Sequence, residues 1–156
     1  MPHSHESLLE DISPSNGRLL VAEDNAALRE YLVAVLRAEG YEVVQASTAD
    51  DLVDTLAVSF RADVGSGEFD LVIAEDRLVL RGELALVNRQ SGGASTPPFV
   101  LIGSFLDQNA INRILGATAA ATLGKPLDMD SLRSTVHRLA CSATEARKQR
   151  DMAARN

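Results

Sequence analysis

Five short apolar runs punctuate the chain, at residues 18–22, 41–46, 69–74, 99–102 and 119–123. Each has the length of a buried strand and is too short to be a helix on its own. Between them, apolar residues return at helical spacing. Asn25 is placed to cap a helix on which Leu28, Tyr31, Leu32, Val35 and Leu36 share the core face, and Gly40 stops it. Ser47 or Thr48 can cap a second helix, with Leu52, Val53, Leu56 and Phe60 on its apolar side. A weak helix is expected over residues 83–88, another over 107–115, and a last one from Leu127 to about Cys141, buried through Leu132, Val136 and Leu139. Strand and helix in strict alternation predict an α/β fold: a five-stranded parallel, doubly wound sheet with right-handed crossovers and helices on both faces.

Composition agrees. The 156 residues suit one domain, and 46% are hydrophobic while only 4% are aromatic, with no Trp. The core must then be Leu, Val, Ile and Ala, as in parallel sheets covered on both sides. A net charge of -7 argues against a nucleic-acid-binding face spread over the molecule. No stretch approaches the ~20 apolar residues of a membrane span. The polar start of the chain lacks the apolar core of a signal peptide. A cytoplasmic protein without membrane or nucleic-acid contacts is the expectation. Cys141 is the single cysteine, so no internal disulfide can form. Residues 1–17 read as a mobile tail in which His3 and His5 are solvated, 18–141 as the folded domain, and 142–156 as a polar tail or helical extension. The charge run from Glu145 to Arg150 reads as a solvated helix face, and Gly65-Ser66-Gly67 marks a loop over 61–68.

In open parallel sheets, ligands bind beyond the carboxyl ends of the strands. That rule brings together Glu23 and Asp24, Glu75 and Asp76, Gly103 and Ser104, and Gly124 and Lys125. Carboxylates crowded at one edge repel unless something offsets them. A hard divalent cation such as magnesium, bound by oxygen ligands, does so, and a lysine reaching in does the same. A carboxylate in that setting can act as a nucleophile towards a phosphoryl group, because metal and lysine neutralise the developing charge.

The stretch Leu19-Leu20-Val21-Ala22-Glu23-Asp24-Asn25, the segment Leu36-Arg37-Ala38-Glu39-Gly40-Tyr41-Glu42-Val43-Val44, the strand Asp70-Leu71-Val72-Ile73-Ala74 and the pair Lys125-Pro126 together resemble the receiver domains of two-component response regulators, over roughly residues 18–140. The resemblance implies a flavodoxin-like receiver with strand order 2-1-3-4-5. It implies that Glu23, Asp24 and the acceptor position hold Mg2+, and that Lys125 contacts a phosphoryl group. Counted from Asp70, the acceptor position falls on Glu75, with Asp76 the alternative one residue on. A slip of one residue would turn the side chain to the other face of the strand. The family's switch hydroxyl falls on Gly103 or Ser104, and its switch aromatic on Thr122. The stretch Arg77 to Gly82 lacks the Met-Pro pair and Asp-Gly turn common in the family. Asp70 itself is read as structural or solvent-facing.

A glutamate is one methylene longer than aspartate, so its carboxylate would sit near where a phosphoryl group lies and could pair with Lys125. The expectation is therefore an atypical receiver, not an enzyme, that binds protein partners with weak or no phosphorylation. Its partners would be a histidine kinase or a downstream signalling protein, met through the face of the fourth helix, fifth strand and fifth helix, and the chain would be a monomer or weak dimer. The alternative is a conventional receiver phosphorylated on Asp76. A small enzyme or flavin-binding protein on the same architecture is disfavoured, because Glu23-Asp24 would repel the phosphate it must bind.

Overall fold

Side chains alternate across a strand, so a strand that is apolar at every position must be covered on both faces. Apart from Arg18 and Glu75 at their ends, that is the state of strands β1 (Arg18–Ala22), β3 (Leu71–Glu75) and β4 (Phe99–Gly103) in the computed structural model, which describes residues 16–61, 68–82, 96–104 and 107–155. With β2 (Glu42–Ala46) and β5 (Ala119–Gly124) they form one parallel sheet in the order β2-β1-β3-β4-β5. The helices are α1 (Ala26–Ala38), α2 (Ala49–Arg61), α3 (Asp76–Arg81), α4 (Gln108–Leu115) and α5 (Met129–Arg155).

The strand alternation splits the interior into two cores. Leu20, Ala22, Val72, Ala74, Phe99 and Leu101 point to one side, where Leu52, Leu56, Leu78, Val79, Ile111 and Leu115 of α2, α3 and α4 cover them. Leu19, Val21, Ile73, Val100 and Ile102 point to the other, against Leu32, Val33 and Leu36 of α1 and Leu132, Val136 and Ala140 of α5. The doubly wound α/β architecture and its strand order are those expected.

Local signals set the helix ends. Asn25 Oδ1 accepts from the Leu28 amide at 3.0 Å, which caps α1. Thr48 caps α2 by accepting from the Asp51 amide at 3.0 Å, and Asp51 answers by accepting from the Ser47 amide at 3.2 Å. Gly40 follows α1 at φ +95, a conformation that side chains disfavour. Tyr31 departs from expectation: it is 52% exposed. The buried stripe of α1 runs through Leu32, Val33 and Leu36, and Val33, not Tyr31, completes it. β5 ends the sheet, with a register shift between Phe99/Val100 of β4 and Ala119/Ala121 of β5. The expected weak helix at 83–88, the leading tail with His3 and His5, and most of the 61–68 loop lie outside the described residues.

The last helix bears on residues 142–156, where the expectation was a polar tail or a helical extension. It continues unbroken past residue 141 to Arg155. Arg147, read as part of a solvated charge run, instead reaches Asp70, whose Oδ1 accepts from its Nη1 at 2.7 Å. Asp70 is buried, and its Oδ2 accepts from the Arg18 backbone amide at 2.8 Å. One carboxylate thus fastens the start of β1, the start of β3 and the third quarter of α5. Among the described residues no helix is long and apolar enough to cross a membrane.

Because Asp70 is buried and doubly engaged, Asp70→Ala is expected to destabilise the fold by about 3 kcal/mol in urea unfolding. Arg147→Met should cost less, since Asp70 keeps the Arg18 amide. The double variant should cost clearly less than the sum of the two. Simple additivity would show that the pair contributes nothing.

Candidate functional site

The carboxyl edge of the sheet is where the apolar rule of the strands ends. The ladder between β1 and β2 runs one residue past Ala22, because the Glu23 amide donates to Ala46 O at 3.1 Å. That bond fixes the Glu23 side chain in a buried position. Its Oε1 accepts from Lys125 Nζ at 2.8 Å, and its Oε2 accepts from the Asn25 amide at 3.2 Å. Arg29, one turn into α1, donates to the Glu23 carbonyl at 2.8 Å. Asp24 is the exposed member of the pair. Lys125 is brought in by β5, and its own amide donates to Gly103 O at 3.0 Å. The Lys125–Pro126 peptide is cis.

Glu75 is the last residue of β3, in register with Ile102, and is only 1% exposed. Its side chain joins Glu23 and Asp24: one carboxylate oxygen from each lies within 4.8 Å of the others. The trio offers only hard oxygen donors at a spacing one divalent cation can bridge. Glu75 Oε2 is buried and has no hydrogen-bond partner among the described residues. The residues therefore fit a magnesium ion.

Asp76 starts α3 and is buried as well, at 2% exposure, but it goes elsewhere. Its Oδ1 accepts from the Arg77 amide at 2.8 Å. The rest of its carboxyl group lies over Gly103, where a Cβ would overlap it. The residue at the end of β4 is thus glycine for a steric reason: Asp76 fills the space a side chain there would take. Ser104 is exposed, and it lines a cavity of about 300 Å3 with Glu75, Asp76 and Arg77. Thr122 is exposed on edge strand β5, away from the carboxylates.

One expected contact is replaced. Glu75 does not pair with Lys125, which is engaged by Glu23. Its Oε1 accepts instead from Nε of Arg77, two residues downstream in the first turn of α3. A guanidinium Nη of the same arginine stands 4.0 Å from Asp24. Arg77 has no part in the sequence reading. The signal available for it was its place: a cation in the first turn of a helix opposes the macrodipole and needs a nearby anion.

Burial is the main cause that pushes the Glu75 carboxyl up to about 7, and the neighbouring carboxylates of Asp24 and Glu23 add to it against the pull of Arg77. Asp24 is held below the ordinary carboxylate range, chiefly by hydrogen bonding to Glu75 and Glu23, with Arg77 and Lys125 adding. Near neutral pH Glu75 is thus only partly ionised.

Two measurements probe this geometry. Gly103→Thr should destabilise by about 2 kcal/mol through overpacking. Asp76→Ala combined with it should recover most of that loss, and an unrecovered loss would separate Asp76 from the glycine. The second concerns pH. Folded Glu75 keeps its proton up to about 7, against 4.5 as the ordinary value, so the folded state binds more protons between those two pH values. Stability associated with Glu75 is then fully present below pH 4.5 and lost as pH rises through 7. Glu75→Gln should remove that loss, so the stability of the variant relative to the parent should grow from pH 4.5 to pH 8. A difference that stays flat would mean that Glu75 is not perturbed.

No family model matches the chain. Among curated proteins it is 30% identical over 121 residues to the transcriptional regulatory protein DltR of Streptococcus agalactiae, covering 76% of this chain and 50% of that one. It is 28% identical over 116 residues to the transcriptional regulatory protein PdtaR of Mycobacterium tuberculosis, covering 74% and 52%. The chain therefore spans about half the length of the curated relatives it matches. Among solved structures it is similar to a CheY-like response regulator receiver domain protein from Methanospirillum hungatei, at 17% identity and a TM-score of 0.62, covering 83% of this chain and 98% of that one. The chain has the fold of that receiver domain, with the same five-stranded parallel sheet flanked by helices.

Proposed function

We propose that the chain works in two-component signalling as an atypical receiver, a protein-interaction module in which Glu75 takes the acceptor position and accepts phosphate weakly or not at all. The observation that carries this reading is the placement of Glu75: buried, grouped with Glu23 and Asp24, and bonded to Arg77. A phosphoryl acceptor must present a free, ionised carboxylate oxygen to the donor. Glu75 is pushed up to about 7, so part of it stays protonated near neutral pH, and one of its oxygens is engaged by the arginine. Asp76 is less suited still. It packs against Gly103 and is not one of the three carboxylates grouped closely enough to share a cation.

Glu23, Asp24 and Glu75 would hold Mg2+ here, and the ion would supply charge compensation. Lys125 holds Glu23 in place, and Arg29 and Asn25 orient the turn that carries it. Thr122 is an exposed small residue where the family places an aromatic, so nothing on β5 is available to swing between two positions. A fixed α4-β5-α5 face fits steady binding of a protein partner, either a histidine kinase or a downstream signalling protein, better than a phosphorylation-driven change. The acidic net charge of -7 fits a protein partner better than a nucleic acid.

Incubation with acetyl phosphate and Mg2+, followed by intact-mass and peptide mapping, tests the reading. No phosphoryl adduct is expected on the parent, whereas Glu75→Asp should gain one at that position. An adduct on the parent that maps to Asp76 and disappears in Asp76→Asn would overturn it.

A further inference from the structure

Three carboxylates converge at this edge, and two side-chain cations already stand among them. Lys125 takes Glu23, whose other oxygen is held by the Asn25 amide. Arg77 takes Glu75 through Nε and stands beside Asp24 through an Nη. The guanidinium therefore lies against the two carboxylates that a divalent cation would most need. The attachments differ in character. Glu23 is locked from several sides and buried, while Arg77 is 59% exposed and long enough to swing into solvent. The Glu75 end of that pair is buried and the Arg77 end is not, so the arginine leaves towards solvent only when another cation takes its place on the carboxylate. Among the described residues Glu75 Oε2 is buried without a hydrogen-bond partner, so this carboxylate still has room for a positive or donor group after both side chains have been counted.

We infer that Arg77 is a resident counter-cation of the acidic pocket, and that it competes with a divalent metal ion for Asp24 and Glu75. The pocket is then partly neutralised in its resting form, and metal binding must displace the arginine outward from Glu75. This rests on the reading of Glu23, Asp24 and Glu75 as the working site, and it adds a specificity-determining residue outside the metal's own ligand set. Arginine suits the part because its planar fork can face two carboxylates at once, where a lysine would meet one.

Mn2+ titration, followed by loss of the free-ion paramagnetic signal, tests the competition on the full chain. Arg77→Met keeps most of the apolar stem and removes the charge, and should tighten Mn2+ binding on the order of tenfold. Arg77→Lys should fall between the two, which guards against a folding artefact in the first variant. Arg138→Met removes the same formal charge from exposed α5 and should change affinity little. Glu75→Gln in the Arg77→Met background should return binding to the parent's level or below. Equal or weaker binding in Arg77→Met, or an equal gain in Arg138→Met, would overturn the inference. No phosphodonor is present in this titration, so its failure leaves the adduct result standing, and an adduct on the parent leaves the metal competition standing.

Discussion

A parallel sheet covered on both faces has no place for charge except at the ends of its strands. The candidate site follows from that restriction. β1 and β3 are apolar through their middles, and the carboxylates at their carboxyl ends, Glu23 and Glu75, are brought together at one edge. Glu23 and Glu75 are not surface residues that happen to be near one another. They are buried because the strands that carry them are buried, and their proximity follows from β1 and β3 pairing directly, Ala22 opposite Ala74. The cost of placing those carboxylates together is met by Lys125 and Arg77, and by a proton retained on Glu75.

The sequence made the frame and half of the site legible. Strand length, the alternation with helices, and the caps at Asn25 and Thr48 are local signals, and local signals are written in short stretches of residues. Glu23, Asp24 and Lys125 could be placed because the carboxyl-edge rule needs only strand order. What could not be read depends on which atom turns where. Glu75 and Asp76 are adjacent in sequence and both buried, yet one joins the trio and the other packs on Gly103. Whether Lys125 would meet Glu23 or Glu75 depended on a competitor, Arg77, whose reach is set by the first turn of α3. Tyr31 was misplaced because a helix stripe can be shifted by one residue without spoiling its spacing, and Val33 fitted the core face better.

Two departures from the receiver pattern are linked by packing. An aspartate at the head of α3 and a glycine at the end of β4 are mutually required, since either alone leaves a clash or a void. Read separately, the glycine is a missing hydroxyl and the aspartate a displaced acceptor. Read together, they are one substitution of volume between neighbouring strand ends, made directly behind Glu75. The proposed acceptor Glu75 and this local packing arrangement thus lie at the same strand end.

The tie between Asp70 and Arg147 bears on what counts as the domain. α5 has 27 residues, about 40 Å of helix. It sets out from the carboxyl edge beside the carboxylates and passes under the sheet to the opposite rim, where Arg147 meets Asp70. A receiver cut at residue 141, where the apolar pattern fades, would leave Asp70 buried at that rim without its arginine. The polar final stretch of the helix is therefore partly a keel: its outer residues face water, and one of its cations holds the far edge of the sheet to the rod that spans it.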